Sequence, residues 1–491
     1  MIDEIVTEFV DDTVDAQINQ LDLPIDSFRV SFDEQKLVLY NYDLFDQAYS
    51  GKRKEDLKDA GVSLVLDSIL VSGINWEKLY LDSILQVKKI LARSNRINTP
   101  KWIIDSLSVP SFSQIKSFEI AKVEIEIQRA RISDEYRTRL SQILDATSVS
   151  ISSDSISINN SINVKSWEAK TNRISKSSID GLHNFSIDRS TIIANSAAFK
   201  GLRFKSKYNA ENLSEQQIDR NTIFDITVPT INLSLKDVLS LIKDSRLDLQ
   251  TLDVKQMKME IYTNLGIARQ KERRLIQQFI KDLPVIVSVG RINIKNSSIN
   301  LKIDKPGFLR NTLQFSSFEA VLANFSNIKK KLNKNSNLSI KLSSSLFGRI
   351  PMSMTADFHM TDPMQAYNYN GQLGAMDLTE LSPILAAMKG MKIKEGKLMS
   401  MNWDVSADSK VSSGWLDFEY DDLKMAQDNR KGIQDMDLLK FVATKLLVSS
   451  NNLHGQYFVR GDVSASRSSN QSMFFHMWES IYSGIESTLK P

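Results

Sequence analysis

Residues 350–360 read Ile-Pro-Met-Ser-Met-Thr-Ala-Asp-Phe-His-Met, and every second residue of this stretch is apolar. The apolar positions are Ile350, Met352, Met354, Ala356, Phe358 and Met360. Successive side chains of a strand point to opposite faces, so this alternation predicts a β-strand with one apolar and one polar face. Such a strand belongs in a sheet whose apolar face has to be covered or occupied.

The same alternation recurs along most of the chain, for example at 28–32, 156–164, 292–303 and 401–407. The segments between these stretches are short and rich in Asn, Ser, Asp, Lys and Gly, as at 295–298. Short polar connections favour hairpins over β-α-β crossovers. The predicted fold class is therefore mainly β: a long, curved, largely antiparallel sheet with a few short amphipathic helices. A groove, an open barrel and a solenoid-like sheet all remain open at this point.

A few segments break the period of two and predict helices. They are a basic segment at 263–283 and apolar or amphipathic segments at 378–389, 434–449 and 474–489. The basic segment divides the chain into two expected regions. The first is an N-terminal β-rich region, 1–283, that ends in the basic helix. The second is a C-terminal β-rich region, 284–491, with amphipathic helices.

The composition excludes several classes of function. The chain has 491 residues, of which 42% are hydrophobic and 25% charged, as in globular proteins. Its 62 Lys and Arg nearly balance 59 Asp and Glu, which argues against a nucleic-acid-binding protein. Cysteine is absent, and the 4 histidines lie too far apart for a local metal pair. We therefore predict a protein that is not an enzyme and has no cofactor, metal or nucleic-acid partner.

No segment approaches the roughly 18 apolar residues that a membrane-spanning helix needs. Residues 1–15 are acidic and lack the basic and apolar parts of a signal peptide. Either the protein is cytosolic, or a targeting segment or anchor lies outside this chain.

Methionine is concentrated between residues 352 and 401, on the alternating strands. The flexible thioether side chain suits a surface that accepts variable apolar shapes such as acyl chains, although ordinary core filling explains it equally simply. The predicted apolar-face residues, which are candidates for contact with lipid, are Ile350, Met352, Met354, Phe358, Met360, Trp403, Val405, Leu416, Phe418 and Tyr420. A slip of one residue in register would place all of them on the other face.

Three stretches of the C-terminal region resemble the AsmA-like family of bacterial envelope proteins, in the form found in the Bacteroidetes. Residues 369–383 run Tyr-Asn-Gly-Gln-Leu-Gly-Ala-Met-Asp-Leu-Thr-Glu-Leu-Ser-Pro and resemble that family's strand-then-helix step. Residues 393–425 include Lys-Glu-Gly-Lys-Leu at 394–398 and resemble its closing strand pair. Residues 474–489, with Trp478 and Ser-Gly-Ile at 483–485, are similar to its terminal segment.

The resemblance implies an envelope protein on the periplasmic side, usually anchored in the inner membrane by a helix that this chain lacks. It implies a non-enzymatic protein that binds or conducts phospholipid or another acyl-chain lipid along an apolar sheet face. The role would be to support outer-membrane assembly or lipid homeostasis, with envelope proteins as further partners. The main alternative is a closed sheet that acts as a scaffold for protein–protein interaction. A weaker alternative is a β-helical carbohydrate-active enzyme with carboxylates from distant positions.

Overall fold

A computed structural model describes residues 25–44, 62–100, 116–133, 144–158, 162–176, 182–208, 222–236, 246–268, 270–283, 285–308, 311–427 and 449–489. These residues form mixed β-sheet and a few short helices, and most of the paired strands are antiparallel. The predicted mainly β class is therefore confirmed. The chain divides into two units, residues 1–203 and 204–491, which are described separately. This division lies earlier than the boundary predicted after residue 283.

Unit 1 contains a meander of strands and, within its described part, one helix. The helix is α1 (Trp76–Asp82). The strands are β1 (Ser27–Ser31), β2 (Lys36–Asp43), β3 (Val65–Ser72), β4 (Ile84–Val87), β5 (Lys89–Pro100), β6 (Ser117–Ser133), β7 (Leu144–Ile158), β8 (Ile162–Thr171), β9 (Arg173–Lys176), β10 (His183–Ile187), β11 (Arg189–Ile193) and β12 (Ser196–Ser206).

Unit 2 contains the other strands and several short helices. The strands are β13 (Ile223–Leu235), β14 (Arg246–Lys255), β15 (Lys258–Asn264), β16 (Ile286–Asp304), β17 (Asn311–Ser326), β18 (Asn337–Leu346), β19 (Ile350–His359), β20 (Tyr367–Leu373), β21 (Met376–Asp377), β22 (Met391–Ala407), β23 (Val411–Gln427) and β24 (Gly461–Ser466). The helices are α2 (Ile276–Lys281), α3 (Lys329–Leu332), a 3-10 turn (Leu378–Leu381), α4 (Ser382–Lys389) and α5 (Met473–Thr488).

Both units contain the same junction of parallel strands, which the sequence pattern did not predict. In unit 1, β4 and β5 follow one another and both pair in parallel with β6. In unit 2, β14 and β15 follow one another and both pair in parallel with β16. Each long strand, β6 or β16, then pairs antiparallel with the next strand along the chain. The junction recurs as a structural repeat although the two sequences share no fixed period.

Two of the four predicted helices are confirmed. The segment predicted at 474–489 is α5, and Ser472 caps it by accepting a hydrogen bond from the Phe475 N–H. The segment predicted at 378–389 is the 3-10 turn followed by α4, with Pro383 in the first turn, where a missing N–H costs nothing. The segment predicted at 434–449 lies almost entirely outside the described residues.

The prediction of a basic helix over 263–283 is wrong for most of its length. Strand β15 runs to Asn264, and the helical part is limited to α2. The backbone of Arg273 is held by tertiary hydrogen bonds instead of a helical ladder. Its N–H donates to the Ser469 carbonyl at 2.8 Å, and the Arg467 guanidinium donates to its carbonyl at 2.5 Å. These contacts satisfy the backbone groups that a helix would otherwise pair.

Candidate functional site

The residues predicted for the apolar face lie together in one hydrophobic cluster of unit 2. The register explains this, because Met354 lies opposite Gly371, which lies opposite Trp403, which lies opposite Leu416. Directly opposed residues of adjacent strands point to the same face. The buried members are Ile350, Phe358, Met360, Trp403, Val405, Leu416, Phe418 and Tyr420, whereas Met352 and Met354 are half-buried.

Helices α4 and α5 cover the C-terminal end of this face. Between the helices and the sheet lies a small cavity of about 70 Å³. Its lining is apolar and includes Leu385 from α4, Met391 and Phe418 from the sheet, and Trp478 and Ile485 from α5. At this end the predicted face is thus closed by the protein's own helices, and the space that remains is lined by hydrocarbon.

Helix α5 approaches the sheet closely because glycines lie where it crosses β23 and β24. A Cβ atom at Gly484 would lie 2.8 Å from Leu416 Cβ and 2.9 Å from Val463 Cγ2. A Cβ atom at Gly461 would lie 2.2 Å from the Gly484 carbonyl oxygen. All three distances are far inside van der Waals contact, so only glycine at these positions permits the observed approach.

Serine hydroxyls on α5 complete the contact with strand β24. The Ser464 N–H donates to Ser483 Oγ at 3.0 Å, and the Asp462 N–H donates to Ser487 Oγ at 3.1 Å. Nearer the start of the helix, Ser480 Oγ lies 2.7 Å from Ser412 Oγ on β23. Ser483 and Ser487 thus accept from backbone N–H groups of a strand whose one partner among the described strands is β23, and they protect this edge of the sheet from further strand pairing.

A buried polar group lies under the start of α5. The His476 imidazole is 0% exposed, and it lies close to the Val411 carbonyl at the start of β23. Burial, aided by the nearby Arg467 guanidinium, lowers the pKa of His476. The phenols of Tyr367 and Tyr369 are also buried, and burial raises the pKa of both. The imidazole is therefore neutral in the folded protein, since its environment disfavours the cation.

Acidification is expected to destabilise unit 2 through His476. The folded-state pKa is lowered, so below the ordinary value of 6.5 the unfolded chain binds more protons, and stability falls as the pH falls. The Val411 carbonyl, Asp408 and Glu479 favour the cation but do not reverse the direction. We expect the thermal midpoint, followed by circular dichroism, to drop between about pH 7 and about pH 5.

The matched variants for this pH test are His476→Asn and His359→Gln. His359 is half-exposed, and its Nδ1 contacts Asn337 at 2.9 Å. The drop should shrink in His476→Asn and persist in His359→Gln. An unchanged pH dependence in His476→Asn would assign the effect to another group.

Unit 1 carries a continuous apolar row that crosses its strands. Successive register partners place one apolar residue per strand on a single face, from β1 through β2, β3, β5, β6, β7, β8 and β11 to β12. This unit 1 row consists of Phe28, Leu39, Ile69, Ala92, Ile125, Ile151, Ala169, Ile192 and Ala197. Neighbouring strands lie about 4.8 Å apart, so the row is on the order of 40 Å long.

Much of the unit 1 row is accessible. Ile151, near its middle, is 37% exposed, and Phe28, Ile69, Ile125 and Ile192 are half-buried. The comparable row of unit 2 runs through Ala356, Tyr369 and Val405, all of which are buried. The described part of unit 1 contains only the short α1, whose first residue, Trp76, packs beside Phe32 at one end of the sheet.

The other residues singled out in the sequence have ordinary partners or positions. Lys331 of α3 forms an ion pair with Asp248 at 2.8 Å, and Asp422 lies 3.6 Å from Lys424. Across the described segments, no group of His, Asp and Glu has the arrangement of a metal site. No helix in the same segments has the length and hydropathy to cross a membrane.

Comparison with known proteins adds no relative. No protein-family model matches the chain, and no curated protein matches it significantly. The resemblance to AsmA-like proteins therefore stays a prediction.

Sequence reasoning missed two features of these surfaces. The unit 1 row depends on register, because alternation marks each strand but does not say which residues of different strands become neighbours. The close approach of α5 did leave a sequence signal: Ser480, Ser483, Gly484 and Ser487 recur at helical spacing and form a small-residue face.

Proposed function

We propose that the protein is a non-enzymatic lipid-binding protein, and that acyl chains lie along the apolar face of its sheet while headgroups stay in water. The single observation that carries this proposal is the unit 1 row. It is continuous, crosses nine strands and is partly accessible at Phe28, Ile69, Ile125, Ile151 and Ile192. Extended accessible apolar surfaces of this kind mark binding sites.

The dimensions of the row suit an acyl chain. Its length, on the order of 40 Å, exceeds the roughly 30 Å hydrocarbon core that two opposed leaflets fill, and so exceeds any single chain. Each buried methylene contributes about 0.8 kcal/mol, so a chain of about 16 carbons gains on the order of 10 kcal/mol before ordering costs. No specific polar group is required for such binding.

The resemblance of the C-terminal region to AsmA-like proteins supports the same proposal. It adds a place, the periplasmic side of the cell envelope, with membrane association through a segment outside this chain. It adds a role, the handling of phospholipid during outer-membrane assembly or lipid homeostasis, with possible partners among envelope proteins. The location and the role rest on the resemblance alone.

The test is native mass spectrometry and lipid extraction on protein purified from a bacterial host. Ile151→Asp places a charge in the middle of the row at a position exposed enough to tolerate it. We expect co-purifying phospholipid in the wild type and loss of most of it in Ile151→Asp, because a buried carboxylate is strongly unfavourable beside an acyl chain.

The matched control is Ile193→Asp. Ile193 is 41% exposed, and it follows Ile192 of the row, so the alternation puts it on the opposite face. The control should keep its lipid, and circular dichroism should show both variants folded. Protein that is free of lipid and also takes up no fluorescent phospholipid would reject the proposal.

A second candidate is a scaffold for protein–protein interaction. The observation that favours it is the closed end of unit 2, where α4 and α5 bury the apolar face on which a lipid would lie. A scaffold predicts no lipid in either preparation and equal behaviour of Ile151→Asp and Ile193→Asp in the lipid measurements.

A further inference from the structure

The polar face of unit 1 carries a cationic cavity of about 370 Å³. Its lining residues come from β8, β11, β12 and the residue after β8. They are Lys170, Thr171, Asn172, Arg189, Thr191, Ala198 and Lys200. Three of these side chains are cations, and none is a carboxylate. Thr191 precedes Ile192 of the unit 1 row, so the cavity and the row lie on opposite faces of the sheet.

The register brings the cations together. Arg189 on β11 lies directly opposite Lys200 on β12, and Lys170 on β8 lies opposite Thr191, two residues after Arg189. Directly opposed Cβ atoms are about 5 Å apart, so the guanidinium and the ammonium reach into the same space. Like charges in such a pair are destabilising unless an anion lies between them.

Several other cations of unit 1 have an ion-pair partner on a neighbouring strand or turn. Arg93 on β5 pairs with Glu126 on β6 at 2.9 Å, and Arg203 on β12 pairs with Asp188 at 2.6 Å. Of the lining cations, Lys170 is paired with Glu168, which lies outside the lining, at 2.6 Å. By contrast, neither Arg189 nor Lys200 has an ion pair or a side-chain hydrogen bond in the described structure. These two cations give the cavity its net positive charge.

We infer that this cavity binds a phosphate group. A guanidinium can donate two parallel hydrogen bonds to a phosphate, and a lysine ammonium supplies a second, compact positive charge. The Thr191 hydroxyl and the Asn172 amide add neutral donors for the remaining oxygens. The inference is independent of lipid binding on the apolar face, because its residues point the other way.

The test compares wild-type protein with the double variant Arg189→Gln/Lys200→Gln. Binding of inorganic phosphate is measured by isothermal titration calorimetry, and thermal midpoints are measured in phosphate and in chloride of equal ionic strength. We expect phosphate to raise the thermal midpoint of the wild type. The double variant should bind phosphate with an affinity that is lower by a factor of about ten or more. Without phosphate the variant should be at least as stable as the wild type, because a repulsion has been removed.

Lys295→Gln is the matched control. Lys295 also faces a like charge, Lys255 on the neighbouring parallel strand, but this pair belongs to unit 2 and does not line the cavity. The control should bind phosphate as the wild type does. Equal responses to phosphate and chloride, or equal affinity in the double variant, would overturn the inference.

Vesicles and a soluble phosphate ester distinguish the sources of the phosphate. Vesicles of phosphatidylcholine are compared with the same vesicles containing phosphatidic acid, and glycerol 3-phosphate is titrated in their absence. Binding to the phosphatidic acid vesicles that the double variant loses would identify a lipid headgroup. Binding of the soluble ester alone would identify a small phosphorylated solute.

Discussion

Replacing Trp403 by alanine is expected to lower the free energy of unfolding of unit 2 by about 3–5 kcal/mol, the cost of emptying a large buried site. Trp403 is 6% exposed on β22, and its ring lies over Gly371 of β20, where a Cβ would lie 2.3 Å from the indole Cζ2. Because Gly371 has no side chain to move into the space, the cavity cannot collapse, and the loss should fall near the upper end. Urea denaturation followed by circular dichroism measures it.

Trp415→Ala is the matched control for this prediction. Trp415 is half-buried on β23 and has the opposite parity to Leu416, the register partner of Trp403, so it lies on the polar face. The Arg460 guanidinium lies 4.2 Å from its ring centroid, an interaction worth about 1 kcal/mol. Equal losses in the two variants would mean that the apolar face has been assigned to the wrong parity.

Replacing Gly484 by leucine is expected to detach α5 from the sheet and to lower the free energy of unfolding by about 3 kcal/mol. A single added carbon already overlaps Leu416 Cβ and Val463 Cγ2, and the Gly484 carbonyl touches Gly461. Neither neighbour is the end of a long flexible side chain, so the helix has to move. Hydrogen exchange of the backbone amides of β24 should then accelerate, because Ser483 and Ser487 no longer hold them.

Gly484→Ala separates the steric overlap from the effect of helix propensity. In an ordinary helix interior this change stabilises by about 1 kcal/mol. Here the overlap outweighs the gain in helix propensity, and we expect net destabilisation. Phe474→Ala, at a position of α5 that is 56% exposed, should leave stability within about 0.5 kcal/mol of the wild type. A stabilising Gly484→Ala would show that the helix does not sit as closely on the sheet as described.

The sequence predicted those features that depend on local periodicity. The strand at 350–359, the apolar side of β22 and β23, and helix α5 follow from periods of 2 and 3.6, which side-chain direction imposes. The features that it did not predict depend on distant partners. The backbone of Arg273 is hydrogen-bonded to Ser469 and Arg467, which lie almost 200 residues further along the chain. The residues around Arg273 therefore do not form a helix, although many of them favour one.

The unit 1 row and the cationic cavity also depend on distant partners. The residues of the unit 1 row and the opposition of Arg189 to Lys200 are consequences of pairing, not of any single strand. Parallel pairing of β5 with β6 is a further example, because the short polar turns elsewhere in the chain indicate hairpins. The amino-acid pattern decides which residues of a strand share a face, and the pairing decides which residues of different strands become neighbours.

The position of α5 in the chain has a consequence for synthesis. A ribosome makes β19, β22 and β23 before it makes the helix that covers their apolar face. Hairpins form in about 1–10 μs, whereas translation adds about 5–20 residues per second, so the strands pair long before their cover exists. During that interval Leu416 and Phe418 are uncovered, and the nascent chain should depend on chaperones until α5 has emerged and docked.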